Sequence, residues 1–351
     1  MSTRMITVEG FKGELALRLP VRALLVCGLL TLAICGVLTW SLVTGSYPLT
    51  TAEVWATLTG NAPSDTARTV VWEFRFPRTL VAFIVGAFLA LSGAALQYVT
   101  RNPLADPSLV GVSQGAALVV VTVTVLAPSF GFYWRPVLAF AGALLVAALI
   151  QAIAASRRGG ETLRFILTGI GVAALISSFT STLLTYGDID RAMSALGWLS
   201  GSIHAAGWGE VRWLFVTALI CLPFVFTAAR PLSALRFGED VATSFGVRVR
   251  LARATLITLA VALAATAVAA VGPLGFVGLV APHLARRLAH SGVGVHLALT
   301  ALTGALITGA ADLIGRAAFA PVQIPAGLVT SVIGVPIFVL LILRTQARSQ
   351  L

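Results

Sequence analysis

"EFRFPRTLVAFIVGAFLALSGAALQ", residues 73 to 97, decides the fold. From Thr79 to Tyr98 no residue carries a charge, and about 20 apolar residues are what a helix needs to cross a bilayer. The rest of the chain repeats the pattern. Hydrophobic residues make up 58% of the 351 and charged ones 11%, with a mean hydropathy of +0.96, whereas soluble domains carry roughly 25% charged residues. Ten spans are expected, at 21–43, 79–98, 108–127, 136–155, 163–186, 211–229, 254–271, 274–290, 296–315 and 325–344. Gly272-Pro273 interrupts one long apolar stretch and separates the seventh span from the eighth. No run alternates as a barrel strand does, and helices satisfy their own backbone in lipid. The expectation is an all-α polytopic membrane protein forming one transmembrane domain over 1–351, with a cytoplasmic N-terminal segment at 1–20.

Arg18, Pro20 and Arg22 precede the first span as the basic start of a signal peptide would. The apolar run is too long for one and no small-x-small cleavage site follows, so an uncleaved anchor is expected. With ten spans both termini lie on one side. Placing that side in the cytoplasm leaves only Arg68, Arg75, Arg78, Arg135, Arg191, Arg212 and Arg316 of the 24 basic residues outside. The whole formal charge of +11 then falls on the inner face, as the positive-inside rule requires. The basic balance thus reports topology and contact with lipid rather than nucleic-acid binding. Cys27, Cys35 and Cys221 lie within spans, and His204, His283, His290 and His296 are scattered. Neither set has metal-ligand spacing, so no metal site is expected.

Small residues recur at four-residue spacing, as in Gly111-x-x-x-Gly115, Gly197-x-x-x-Gly201 and Ala305-x-x-x-Gly309, and allow close helix packing. "RNPLADPSLVGV" (101–112) and "VGPLGFVGLVAP" (271–282) echo each other from opposite faces, the pattern of an inverted repeat.

The stretch "LRFGEDVATSFGVRVRLAR", 235–253, interrupts this apolar background. It lies in a cytoplasmic loop, 230–253. Glu239 and Asp240 suit a helix N-terminus. Val241 and Phe245 share a face, and Gly246 suits a left-handed cap. A two-turn amphipathic helix follows. It reads equally as a solvated loop or as a docking helix for a cytoplasmic partner.

"FGEDVATSFGV" resembles the coupling-helix motif of the FecCD family, the permeases of ATP-binding-cassette importers for iron siderophores, haem and vitamin B12. The stretches 73–97, "RNPLADPSLVGVSQGAAL" (101–118), "GPLGFVGLVAPHLAR" (272–286) and, more distantly, "DLIGRAAFAPVQIPAGLVTSVIG" (312–334) are similar to the same family in the same order. The resemblance implies a vitamin B12-permease-like bundle. It also implies that Arg236, Gly238, Glu239, Asp240, Val241, Phe245 and Gly246 seat in an ATPase subunit. The chain has no Gly-x4-Gly-Lys-Ser/Thr loop, so ATP and Mg would be bound by two partner ATPase subunits. This chain would hold no cofactor and act as no enzyme.

By the same resemblance Arg75, Arg78 and Arg316 receive carboxylates of a substrate-binding protein; headgroup snorkelling is the other reading. Asn102 and Leu104 would form one inner constriction, although Asn-Pro also simply favours a turn. Glu161 and Thr162 would form the other, though Glu161 departs from the family's small polar residues. Ser177, Ser181 and Thr185 make a hydroxyl stripe with Thr180 nearby, read either as pathway wall or as helix glue. Residues 195–208 would form a short interfacial helix at the outer mouth, with Trp198 and Trp208 as belt residues. The expected function is permease of a ferric-siderophore importer in the bacterial plasma membrane, paired with a second permease, either a homologous chain or another copy of this one. Cobalamin and haem are the alternative cargoes. An ion-coupled secondary transporter would need ionisable residues deep in the spans, and Asp312 is the only candidate.

Overall fold

A computed structural model describes residues 5–9, 16–129, 134–155, 161–319 and 322–349. The N-terminal segment departs from the all-helical expectation: β1 (Met5–Glu9) and β2 (Ala16–Pro20) pair as an antiparallel hairpin. Pro20 then leads into α1 (Val21–Val43), an apolar helix buried only at Ala23, Leu30, Ser41 and Leu42. Short helices α2 (Thr51–Leu58) and α3 (Asp65–Thr69) follow on the outer side. A capping box starts α2: the Thr50 amide donates to Glu53 Oε2 at 2.7 Å, and the Glu53 amide to Thr50 Oγ1 at 3.3 Å. Ser64 caps α3 through the Ala67 amide.

A π-helical turn at Val70–Arg75 runs without a break into α4 (Phe76–Thr100). The second span is therefore a continuous 36-residue helical stretch, Asp65–Thr100, longer than its apolar run indicates. Helix α4 is the spine of the molecule, buried at almost every position from Pro77 to Val99. Such burial on all sides is possible because its glycines admit neighbouring backbones. A Cβ on Gly86 would lie 2.2 Å from Gly304 O, and one on Gly93 1.9 Å from Gly278 O. These are the crossings with α14 (Val293–Ala317) and α13 (Val277–Leu288). Helices α5 (Val112–Leu126) and α6 (Arg135–Ala155) cross in the same way at Gly115 and Gly142.

The chain continues through α7 (Glu161–Tyr186), α8 (Ile189–Leu199), α9 (Trp208–Thr227), α10 (Ala229–Leu235), α11 (Glu239–Ser244) and α12 (Val249–Val271), and ends in α15 (Ala326–Ser349). Helix α12 is buried with α4, whereas α1, α7 and α9 expose most of their length.

Seven helices among the described residues are long and apolar enough to cross a membrane, and Val112–Leu126 and Ala326–Leu340 are shorter apolar helices. The eighth expected span, 274–290, is not one regular helix: residues 272–276 are not helical and α13 has 12 residues. Five non-helical residues reach at most about 17 Å and a 12-residue helix about 18 Å, together close to the roughly 30 Å of a bilayer core. Irregular backbone at that depth has to be enclosed by protein, and it is. Ser202 N donates to Val271 O at 2.9 Å, Gly327 N donates to Gly201 O at 2.8 Å, and a Cβ on Gly201 would lie 2.1 Å from Pro273 O. The two echoing segments also meet: a Cβ on Gly278 would be 2.7 Å from Pro107 Cδ.

Candidate functional site

At the arginine-rich face the expected amphipathic helix forms as α11. Gly238 (φ +114°) opens it and Gly246 (φ +77°) closes it in the left-handed region, so both glycines are required by the backbone. Ala242 is fully buried and pins the helix, its amide donating to Gly238 O at 3.0 Å. Arg236, Asp240 and Val241 face outward, and the side chain of Glu239 lies outside the described residues. Phe245 is 75% exposed and Phe237 71%. Both rings stand bare on a loop that otherwise carries charge. The motif points to Phe245 alone. Phe237, one residue before the first glycine, is legible in the sequence only as an apolar residue in a charged stretch.

The loop expected to form the first inner constriction is an Asx turn. Arg101 ends α4 in the left-handed region (φ 51°), Asn102 Oδ1 accepts from the Leu104 amide at 2.9 Å, and Ala105 N donates to Asn102 O at 3.2 Å. Thus Asn102 has the turn-forming role its residue type favours, while Leu104 stands exposed at the tip. This loop and the start of α11 adjoin, since a Cβ on Gly238 would lie 3.9 Å from Arg101 Nη1. Behind the turn, burial pushes the Asp106 carboxyl above its ordinary value, against the bonds from Ser108 that lower it. Glu161 and Thr162 begin α7, and their side chains lie outside the described residues.

On the opposite face Arg75, Arg78 and Arg316 come together, but not as free rim charges: they are 5%, 8% and 6% exposed. Arg78 binds Asp312 with two nitrogens, Nη2 at 2.8 Å and Nε at 3.1 Å. Its Nη1 donates to Gln323 Oε1 at 2.9 Å and lies 3.1 Å from His204 Nδ1. Arg316 lies 3.7 Å from the same Asp312 and donates to Ser41 and Thr44 carbonyls and to Ser41 Oγ, yet its buried Nε has no acceptor among the described residues. Arg75 donates to the carbonyls of Leu42, Val43 and Tyr47. All three line one open cavity of about 550 Å³, with His204, Gln323 and Glu73. Their side chains turn into the protein rather than outward from its surface. Two of the buried cations share the buried carboxylate of Asp312, and Arg75 rests on backbone carbonyls.

On α7 the residues Ser177, Ser181 and Thr185 form an exposed stripe, joined by Ser178 and Thr182 on the adjacent row. Thr180 does not belong to it. It is buried, with its hydroxyl donating to Ile176 O at 2.9 Å, and so is part of the packing, on the flank of the stripe that turns toward the bundle. Beyond α7 the outer amphipathic helix is α8, set earlier than the expected 195–208. It exposes Ile189 and Met193, and Trp208 starts α9 with Nε1 on Trp72 O at 2.8 Å. Among the described residues no group of His, Cys, Asp or Glu is placed to hold a metal.

A deeply buried helical spine, a broken half-helix and a short capped helix bared at the basic face define a polytopic transport permease. Residues 30–344 match the FecCD transport family, and the chain belongs to it. It is 37% identical over 316 residues to the achromobactin transport system permease protein CbrC of Dickeya dadantii, covering 90% of each chain. It is 36% identical over 331 residues to the ferric enterobactin transport system permease protein FepG of Escherichia coli, covering 93% of this chain and 98% of that one. Among solved structures it superposes on a metal-chelate type ABC transporter in an inward-facing conformation. That match has a TM-score of 0.79 and 29% identity, over 91% of this chain and 99% of that one.

Proposed function

We propose that this chain is the transmembrane subunit of an ATP-driven importer that takes up a ferric siderophore delivered by a binding protein. The observation that carries the reading is α11: a helix anchored by one buried alanine and flanked by two bare phenylalanines has a surface without a use inside this chain. Two ATPase subunits, which would bind ATP and Mg, seat on α11 of this permease and of a second one. Their closure tilts α11 and, through the adjoining gate loop, opens or closes the constriction at Asn102 and Leu104. The arginine cavity on the other face receives acidic side chains of the binding protein; such pairs set orientation and association rate. The hydroxyl stripe of α7 lines the pathway between the two permeases with many weak hydrogen-bonding groups and no strong site that would trap a bulky cargo. The names of the relatives favour an iron chelate over cobalamin or haem. An ion-coupled mechanism is disfavoured because Asp312, its candidate carrier, is already held by two guanidiniums.

Uptake of labelled ferric siderophores and of labelled cobalamin, in cells with and without the gene under iron limitation, tests this. Loss of ferric uptake that is restored by the gene but not by a Glu239→Arg copy supports the reading. Loss of cobalamin uptake alone keeps the machine and replaces the cargo. Unchanged uptake of both, and of haem, overturns it.

A further inference from the structure

Gln97 is a buried amide on α4, close to the arginine-rich end. Its Nε2 lies 3.4 Å from Ala105 O, 3.5 Å from Gly278 O and 3.4 Å from Leu279 O. Three carbonyls around one end of the amide make that end the donor. One of these carbonyls belongs to the gate loop and two to the first turn of α13. In an unbroken helix the Gly278 carbonyl accepts from the residue four further on, and here that residue is Pro282, which has no N–H. A buried carbonyl without a donor is costly, and Gln97 is within reach to supply one. The surroundings leave no slack. A Cβ on Gly93 would be 1.9 Å from Gly278 O, and one on Gly278 would be 2.7 Å from Pro107 Cδ and 3.2 Å from Asp106 Oδ2.

We propose that Gln97 is a positioning residue that ties the inner-gate loop to the broken half-helix α13, so that displacement of α13 moves residues 102–105. This deepens the importer reading and rests on its assignment of Asn102 and Leu104 as a constriction. Two amide hydrogens serve three acceptors at long range, so the amide can pass from one carbonyl to another while α13 and the loop shift. It acts as a swivel between two segments that each lack regular backbone partners.

The test uses the complete transporter, with its ATPase and companion permease, in proteoliposomes. Cys27, Cys35 and Cys221 are replaced by serine or alanine and Leu104→Cys is introduced. The rate of modification by a membrane-impermeant maleimide is measured from the ATPase side, without nucleotide and with ATP plus vanadate. In the parent the two rates differ. Gln97→Met keeps the volume and removes the donor, and is expected to bring the nucleotide-dependent ratio down by about tenfold, the equilibrium worth of one buried carbonyl left without its donor. A second measurement does not depend on gating. Gln97→Met lowers the thermal midpoint less in a Pro282→Ala background, because alanine at that position returns an N–H to Gly278 O. If the parent responds to nucleotide and Gln97→Met responds equally, the swivel is overturned and the importer reading stands. If the parent itself does not respond, the gate assignment fails and the swivel fails with it. Equal midpoint losses in both backgrounds overturn the donor role.

Discussion

At the scale of single residues, Asp312 shows what the chain alone conceals. Arg78 and Arg316 attract attention because they lie on the side of the membrane that basic residues avoid. That they are interior could not be read from the sequence: Arg78 finds its acceptors 234 and 245 positions away, and Arg75 finds one 33 positions away. Removing one member of a buried ion pair leaves an uncompensated charge. Asp312→Asn is therefore expected to destabilise the detergent-solubilised protein by about 3–5 kcal/mol, read as a fall in denaturation midpoint. An unchanged midpoint would mean that Gln323 and His204 suffice for Arg78, and the carbonyls of Ser41 and Thr44 for Arg316. The opposite behaviour is expected for Phe245→Ser and Phe237→Ser. Both rings stand in the open, so stability should stay within about 0.5 kcal/mol of the parent. Copurification of the ATPase should fall sharply. Retained copurification with both serines present would show that α11 docks through its charges alone.

At the scale of elements, the glycines of α4 separate crossings from spacers. Gly93 meets Gly278 backbone to backbone, whereas Gly28 and Gly36 on α1 have nothing within 4 Å of a Cβ. Gly93→Val is expected to force α4 and α13 apart and cost at least about 1–3 kcal/mol, seen as lost monodisperse yield. Gly28→Val and Gly36→Val should be tolerated. Both sets look alike in the sequence, because small-residue spacing does not say which face of a helix meets a neighbour. The capping box of α2 allows a pH test. Bonds from Thr50 hold the Glu53 carboxyl below its ordinary value. A group lowered in the folded state adds stability that is present above its ordinary value and lost as pH falls through the lowered one. Amide-exchange protection at the start of α2 should therefore decline below about pH 4, and a Glu53→Gln variant should lose that pH dependence. Helix α11 is readable from the sequence because its caps, its apolar pair and its closing glycine are all local. Helix α13 is not, because Gly272-Pro273 announces an interruption without saying how many residues stay unwound.

At the scale of the whole molecule, one face gathers Arg101, Arg236 and Arg286 with α11 and the turn at Asn102, and the other gathers the arginine cavity. Cysteines at Leu104 and Phe245 should be labelled by impermeant reagents only from the cytoplasmic side, and one at Ser46 only from outside. Labelling of Ser46→Cys and Phe245→Cys from the same side would break the topology. By itself the sequence determined that the chain is a helical membrane protein, which face holds the positive charge, that the charged loop carries a short helix closed by a glycine, and which family the chain resembles. These depend on composition and on patterns within a dozen residues. The tertiary structure alone decided that the outer arginines are clamped, that Thr180 turns inward, that Phe237 is bare, and that Gln97 answers the carbonyl Pro282 leaves without a partner. Each of these is a contact, or the absence of one, between segments far apart in the chain. It depends on how each helix is rotated against its neighbours, which no local pattern specifies.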